Sequence, residues 1–493
     1  MDTVDQAAPP GQQPASPPRT GFDRFFEISK RGSTVSREVR GGLATFFTMA
    51  YIVVLNPLIL GAAVDGDGKK LALPAVAAAT ALVAGLMTIL MGVVGRFPLA
   101  LAAGLGVNAI VAYEVAPQMT WADAMGLVVI EGVVISILVL TGLRTAIFRS
   151  VPTQLKTAIG VGIGLFLTLI GFVDAGFVRG GTASPPVNLG IGGKLASWPA
   201  LVFVLGLLLT LFLVVRRVKG AILIGIVVST VIAIVVEAVA KVGPSFVDGK
   251  PNPKGWSLNV PKLPSADKIF DFTPDLSLLG KFDVLGSWSR AGWLVALMFA
   301  FTLILTDFFD TMGTMVAVAQ EGDMLGEDGA PPRAKEILLV DGIAAAAGGV
   351  ASSSSATSFV ESAAGVAEGA RTGAANLVTG GLFLLAMFLA PLVTVVPFEA
   401  ASTALVVVGF LMMTSVRSID WSDYEIAIPA FLTIVLMPFT YSISNGIGAG
   451  VISYVFLKVV NGKFRQVHPL MYVVAVMFIL FFLRGPLESA VMH

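Results

Sequence analysis

The sequence predicts an all-α, polytopic membrane protein whose chain crosses the bilayer many times. Of its 493 residues, 56% are hydrophobic and 13% are charged, whereas soluble domains carry about 25% charged residues. Apolar runs longer than about 18 residues, enough for a spanning helix, recur along the chain. The net charge is zero, with no cysteine and two histidines, so the composition excludes disulfides and Cys-based metal sites and does not indicate nucleic-acid binding.

A disordered tail and fourteen apolar spans are predicted. Residues 1–21 are rich in Pro, Ala and Gln, which is typical of a disordered segment. No signal-peptide pattern precedes the first apolar run, so we expect the first helix to be retained. A further apolar stretch at 469–484 either crosses once more or lies in the membrane interface. The predicted spans are 43–62, 72–94, 98–116, 122–140, 152–173, 198–216, 220–240, 290–318, 336–350, 352–370, 373–396, 399–416, 425–441 and 444–460.

Basic residues between the spans orient the chain. With a cytoplasmic N-terminus, alternate loops should be rich in Lys and Arg. The short loops predicted to lie outside hold fewer of them, with Lys69 and Lys70 as the exception, and long loops such as 241–289 escape the rule. The pattern therefore predicts a cytoplasmic N-terminus and an even number of spans up to Lys463. The predicted inside segments contain Arg37, Arg40, Arg96, Arg144, Arg149, Lys156, Arg216, Arg217, Lys219, Arg333, Lys335, Arg371, Arg417, Lys463 and Arg465.

The segment 241–289 divides the spans into two halves of seven. A Val-Pro pair opens the fifth span at Pro152 and the twelfth at Pro397, and in that register Gly164 matches Gly409. Because seven is odd, the second half must be inverted relative to the first. Inverted repeats are a transporter design that places the substrate near the bilayer midplane, so the pattern predicts a transporter.

Acidic residues within or at the ends of second-half spans are the first candidate functional groups. A charged side chain inside a bilayer costs at least about 2.5–3.5 kcal/mol. Asp307 and Asp310 are three residues apart and share one helix face. Either could instead pair with a basic residue or cap a broken helix. Asp341 fits helix packing or a helix end as well as it fits a proton relay.

The fourth acid, Glu361, follows the unusual run SSSSATS. Ser and Thr side chains compete for the backbone, so this run predicts a strand that leads into a half-helix with free N–H groups. Such a break is tolerated where the backbone lines a cavity or is buried. The alternative is a small-residue helix interface. The third span begins at Pro98, is also short and Gly-rich, and has Asn108 at its middle; paired interrupted spans are typical of a transporter site.

These side chains suit a small neutral ligand with several N–H donors, because a carboxylate accepts two parallel N–H bonds. Nucleobases fit that description, and the acids could also carry a coupling proton. Asp310 and Glu361 would repel an anion, which argues against an anion transporter of the sulfate/bicarbonate class. An intramembrane enzyme would have to use aspartates such as Asp310 and Asp341, and it would leave the paired broken spans unexplained.

The chain resembles the AzgA-like adenine/guanine/hypoxanthine permeases, a branch of the nucleobase–cation symporters, from about residue 22 to about residue 483. The stretches that carry this resemblance are REVRGGLATFFTMAYIVVLNP, TDFFDTMGT, SSATSFVESAAGVAEGARTG and MPFTYSISNGIGAG. The resemblance implies fourteen spans in two inverted repeats, with spans three and ten half strand and half helix.

The resemblance also implies a core domain of spans 1–4 and 8–11 and a gate domain of spans 5–7 and 12–14. The core would comprise residues 22–140 and 290–396, and the gate residues 141–240 and 397–468. An extracytoplasmic linker, 241–289, would join the halves, and 469–493 would form a C-terminal apolar segment.

Site residues follow from the same resemblance. Related uracil and xanthine permeases carry E-x-x-G in span eight, and here Asp310 stands three before Gly313. Glu361 opens a segment like their span-ten signature. Ser362 stands where that signature has Asn, which leaves its role open, and the order of Arg371 and Thr372 is reversed, as in the purine branch.

Asn108 looks like the third binding position of this branch, and Asp341 looks like the acid that supports span ten. The substrate-binding residues are predicted to be Asp310, Glu361, Asn108, Ser358 and Phe359, and the coupling or supporting residues Asp307, Asp341 and Thr357.

The predicted function is secondary active import of adenine, guanine and hypoxanthine across the cytoplasmic membrane, with the core moving against the gate. A proton is the expected coupling ion, Na⁺ remains open, and no other cofactor or metal is expected. The expected partners are the purine base and the lipid bilayer, without nucleic acid. The oligomeric state is open, and homodimers occur in related permeases.

Overall fold

A computed structural model describes residues 20–142, 151–180, 187–247, 250–257, 259–262, 273–326 and 330–483. Within these residues the chain is mostly helical, and ten helices are long and apolar enough to cross a membrane. The prediction of a multi-pass membrane protein is confirmed. The predicted tail up to residue 19, together with Arg144 and Arg149, lies outside the described residues.

The first half of the chain contains a strand where the third span was predicted. Strand β1 (Leu101–Ala103) precedes a short helix, and a hairpin of β2 (Val178–Gly180) and β3 (Val187–Leu189) follows the fifth span. The α-helices are α1 (Gly21–Phe26), α2 (Val35–Met49), α3 (Ile52–Ala62), α4 (Leu73–Leu90), α5 (Leu105–Ile110), α6 (Trp121–Leu140), α7 (Thr153–Asp174), α8 (Trp198–Val215) and α9 (Ala221–Ala240).

The second half also contains a strand within a predicted span. Short strands β4 (Phe246–Val247) and β5 (Lys250–Pro251) lie between residues 241 and 289, and β6 (Ala356–Ser358) lies where the tenth span was predicted. The α-helices are α10 (Gly286–Arg290), α11 (Trp293–Glu321), α12 (Ala334–Val350), α13 (Ser362–Ala367), α14 (Ala374–Ala386), α15 (Phe398–Met413), α16 (Tyr424–Phe439), α17 (Ile443–Val460) and α18 (Pro469–Phe482).

One helix begins well before its predicted span, and another is short for a membrane-spanning helix. The first span begins at Val35, eight residues before the apolar run, because Thr34 caps α2 by accepting a hydrogen bond from the backbone N–H of Arg37 at 3.3 Å. At the other end, α18 has 14 residues, about 21 Å of helix, against a hydrocarbon core of about 30 Å. It packs on α11 and α17.

Helices of the two halves pack in matching pairs. α6 packs on α12 as α4 packs on α14, and α8 packs on α9 as α16 packs on α17. In the predicted repeat, α4 corresponds to α12 and α6 corresponds to α14. The contact between α6 and α12 then corresponds to the contact between α14 and α4. The predicted counterparts Gly164 and Gly409 face each other where α7 meets α15, and a Cβ on Gly164 would lie 2.7 Å from the carbonyl oxygen of Gly409. Corresponding residues of two symmetry-related repeats are expected to contact each other close to the axis that relates the repeats.

Gly409→Ala is expected to destabilise the protein by about 1–3 kcal/mol, the usual effect of overpacking. The added methyl would overlap the Thr168 hydroxyl and the Gly164 carbonyl oxygen. A lower melting temperature in detergent would show this. Gly381→Ala is the matched control, because a Cβ at that helical glycine meets nothing within 4 Å. Equal melting temperatures for the two variants would contradict the expectation.

Candidate substrate site

Two interrupted spans cross at a pair of short strands. β1 and β6 are antiparallel, with Ala102 opposite Thr357. The backbone N–H of Gly104 donates to the Ser355 carbonyl at 2.9 Å, and that of Phe359 donates to the Ala100 carbonyl at 2.9 Å. α5 follows β1 and α13 follows β6 closely. In both spans, the uncompensated N–H groups that begin a helix therefore lie near this strand crossing.

Small residues allow the crossing. A Cβ on Gly104 would lie 2.6 Å from Cγ2 of Thr357. Ser352 and Ser354, just before β6, have φ angles of 54° and 67°, in the left-handed region that non-glycine residues seldom adopt. The serine run breaks the span as the sequence predicted, and the break keeps a strained backbone, a feature that clusters at functional sites.

Asp310 opens onto the space beside the crossing. Its side chain is exposed, although Phe308 and Thr311 on the same helix are buried. Thr357, fully buried in β6, donates its hydroxyl to Asp310 Oδ2 at 3.3 Å. Among the described residues no ion pair involves Asp310, so the alternative of a basic partner is not observed there. Asp307, three residues earlier, is fully buried.

Asp341 lies near the middle of α12, so it does not mark a helix end. Its Oδ1 accepts hydrogen bonds from the hydroxyls of Thr311 at 2.7 Å and Ser358 at 3.0 Å. It thus joins the helix of Asp310 to strand β6. Successive strand residues point to opposite faces, and here Thr357 binds Asp310 while Ser358 binds Asp341.

Glu361 is the second acid beside the crossing. Its side chain is half-buried, and the buried Tyr51 donates its hydroxyl to Glu361 Oε1 at 2.6 Å. Tyr51 lies where α2 ends and α3 begins. The sequence reasoning missed Tyr51, and a phenol within an apolar span was the available signal. Phe359, two residues before Glu361, is buried.

Asn108 is placed differently from the two acids. It is fully buried on α5, and its amide nitrogen donates to Asn56 Oδ1 at 2.6 Å. Asn56, also missed, donates to the Thr80 hydroxyl at 2.7 Å and the Ser353 carbonyl at 2.9 Å. Asn108 Oδ1 has no hydrogen-bond partner among the described residues. The Asn108 amide nitrogen is therefore linked through Asn56 to the Ser353 carbonyl before β6, whereas the buried Asn108 oxygen has no such link.

The exposed part of the site is acidic and rich in acceptors. Asp310 on α11 and Glu361 at the start of α13 offer carboxylate oxygens close to the strand crossing. No group of three or more acidic or histidine side chains that could hold a metal ion occurs among the described residues. The arrangement suits N–H groups of a neutral ligand.

Comparisons with known proteins give one family. Residues 36–449 match the profile Xan_ur_permease, described as a permease family. The guanine/hypoxanthine permease PbuG of Bacillus subtilis is 38% identical over 93% of this chain and 99% of its own length. The adenine permease AdeP of Escherichia coli is 34% identical over 93% and 95%.

A solved structure shares the fold. The transmembrane domain of the cyanobacterial bicarbonate transporter BicA superposes with a TM-score of 0.56 over 84% of this chain and 97% of that domain. The sequences are 17% identical, so this likeness concerns the architecture alone.

Proposed function

We propose that this chain, which belongs to the Xan_ur_permease family and resembles its adenine/guanine/hypoxanthine branch over nearly its whole length, imports purine nucleobases by cation symport. The observation that carries the proposal is the pair of carboxyl groups, Asp310 and Glu361, beside the strand crossing. Relatives named for guanine, hypoxanthine and adenine support this substrate class.

Asp310 and Glu361 would accept hydrogen bonds from ring and exocyclic N–H groups of the base. Ser358 of β6 and Phe359, which follows it, would line the site through their backbone, and the oxygen of Asn108 would receive a further N–H after a small rearrangement. A bound anion would meet two carboxyl groups that form no ion pair with the described basic residues. The rival reading, an anion transporter of this fold, is for that reason less well supported.

The proposed architecture is fourteen spans in two inverted repeats of seven. The core would consist of residues 22–140 and 290–396, and the gate of residues 141–240 and 397–468, with 241–289 as the linker. The matching helix contacts and the Gly164–Gly409 approach support this division. The N-terminus would face the cytoplasm, as the Lys and Arg pattern indicates, and α18 would belong to the C-terminal segment.

Transport would require the core to move against the gate. Glu114, at the end of the third span in the core, contacts the start of gate helix α17. It accepts hydrogen bonds from the Ser442 hydroxyl at 2.9 Å, the Ile443 backbone N–H at 2.5 Å and the Ser444 hydroxyl at 2.7 Å. A sliding core would have to break or exchange these three bonds, so they would stabilise one end state of the cycle.

A proton is proposed as the coupling ion. Asp307 and Asp341 are both fully buried, and Thr357 donates a hydrogen bond to Asp310. Because Asp341 accepts a hydrogen bond from Ser358 of β6, its protonation would change the hydrogen bonds at the strand crossing. A sodium ion remains the alternative. A second copy of the chain is proposed as the partner in the membrane.

Uptake by a bacterial strain that lacks its own purine-base permeases tests the proposal. Unlabelled adenine and guanine should reduce uptake of labelled hypoxanthine, whereas uracil, sulfate and bicarbonate should not. A proton uncoupler should abolish accumulation, and replacing Na⁺ by K⁺ should not. Competition by bicarbonate would overturn the proposed substrate, and dependence on Na⁺ with resistance to the uncoupler would overturn the proposed coupling ion.

Tyr51→Phe is expected to raise the KM for hypoxanthine about tenfold, because the hydroxyl that orients Glu361 is lost while the ring remains. The concentration dependence of initial uptake measures this. Tyr454→Phe is the control: Tyr454 lies on gate helix α17, and its hydroxyl makes no hydrogen bond to any described residue. An unchanged KM in Tyr51→Phe would show that the Tyr51–Glu361 bond does not shape the site.

A further inference from the structure

Glu131 on α6 is a buried acid that neither the sequence reasoning nor the proposed site includes. Its side chain is fully buried. Oε1 accepts a hydrogen bond from the Ser355 hydroxyl at 3.2 Å, and Oε2 has no hydrogen-bond partner among the described residues. Ser355 in turn holds the strand crossing, because its carbonyl accepts the N–H of Gly104. Glu131 is therefore connected to the strand crossing through a single intermediate residue, Ser355.

Glu131 lies beside Asp341. α6 and α12 approach through glycines, and a Cβ on Gly132 would lie 2.5 Å from the carbonyl oxygen of Gly342. The residues that precede these two glycines in the chain are Glu131 and Asp341. Both acids bind hydroxyls of the interrupted tenth span, Glu131 through Ser355 and Asp341 through Ser358.

The neighbouring charges do not compensate an ionised Glu131. Arg290, the basic residue of α10, pairs with Asp123 in the first turn of α6 at 3.3 Å, about 12 Å along the helix from Glu131. No ion pair among the described residues involves Glu131. The charged and titratable side chains on the segments packed against α6 are Lys281, Asp283, Arg290, Asp307, Asp310, Glu321, Lys335, Glu336 and Asp341.

Burying a carboxylate with one hydroxyl donor and no cation is far more costly than burying the neutral acid. The conformation described here therefore favours the protonated form of Glu131. Ionisation would need either water or a rearrangement of the donors around Ser355. Any such rearrangement would disturb the crossing that presents Asp310 and Glu361.

We propose that Glu131 carries the coupling proton, taking it from one side of the membrane and releasing it to the other as the core changes position. This inference rests on the proposed function. When Glu131 is protonated, the strand crossing stays intact and the purine site is formed. When Glu131 is ionised, it attracts hydrogen-bond donors away from the strand crossing. Proton and purine binding then favour each other, and the same coupling acts in both directions.

Exchange and gradient-driven accumulation, measured separately, distinguish this role of Glu131 from a structural one. In proteoliposomes, Glu131→Gln should exchange labelled for unlabelled hypoxanthine within about threefold of the wild-type rate, because glutamine imitates the neutral acid. Driven by an imposed pH gradient, however, its accumulation ratio should fall to about 1. Glu131→Asp should restore accumulation. If Glu131→Gln does not fold, Ser355→Ala is the second variant, and its pH profile of uptake should move to higher pH because the anion loses its donor.

Glu399→Gln is the matched control, because Glu399 is equally buried but lies on gate helix α15 and binds the backbone N–H of Ser257. It should accumulate hypoxanthine as the wild type does. Undiminished accumulation in Glu131→Gln, equal loss in Glu399→Gln, or an unmoved pH profile in Ser355→Ala would overturn the role of Glu131. Wild-type protein that neither exchanges nor accumulates hypoxanthine would instead overturn the proposed function, and the coupling with it.

Discussion

Asp310→Asn is expected to lower hypoxanthine uptake at subsaturating concentration by about 10- to 100-fold, and Glu361→Gln by a similar factor. Each change replaces an acceptor-only carboxylate with an amide that presents a donor to the N–H groups of the base. The loss of one charge-assisted hydrogen bond corresponds to about 1.5–3 kcal/mol. Initial uptake rates, normalised to the amount of protein in the membrane, measure the effect.

Asp307→Asn is the informative comparison for Asp310→Asn, because Asp307 lies on the same helix but is fully buried. We expect it to bind hypoxanthine with little change in affinity, even if transport slows. Direct binding to purified protein distinguishes these outcomes. Normal uptake by both Asp310→Asn and Glu361→Gln at normal expression would remove the two acids from the site, and stronger loss of binding in Asp307→Asn would exchange the roles of the aspartates.

Local sequence features were sufficient to predict the break in the tenth span. The run SSSSATS has hydroxyls that compete with helical hydrogen bonds, and the structure has β6 there, with two serines at positive φ. The start of α7 after Pro152 and of α15 after Pro397 was equally local. Asp310 and Glu361 stood out because acids are costly in apolar segments. Each of these inferences rests on residues that are close together in the sequence.

The partners of those acids could not be predicted in that way. Tyr51 reaches Glu361 across 310 positions and Ser355 reaches Glu131 across 224, and no periodicity within a helix encodes such pairings. Strand alternation predicts that Thr357 and Ser358 face opposite ways, but it does not say that one meets Asp310 and the other Asp341. The register of β1 against β6 decides that, and it follows from the packing of spans from both halves.

A disulfide between core and gate is expected to stop transport completely. Gly106 on α5 would belong to the core and Ile163 on α7 to the gate, and a Cβ on Gly106 would lie 3.1 Å from Cγ2 of Ile163. The chain has no cysteine, so Gly106→Cys with Ile163→Cys introduces the two thiols alone. Oxidation should reduce hypoxanthine uptake to background, and a reductant should restore it, because a cross-link at this distance allows little sliding.

The matched control places both cysteines within the gate. A Cβ on Gly171 of α7 would lie 3.0 Å from Cβ of Leu405 on α15, so Gly171→Cys with Leu405→Cys joins helices that would move together. Its uptake should survive oxidation, as should that of each single-cysteine variant. If the Gly106–Ile163 disulfide forms and uptake continues, α5 and α7 do not move apart during the cycle, and a sliding core is excluded. If both disulfides stop uptake, motion within the gate itself is required, and the division of the chain into two rigid domains fails.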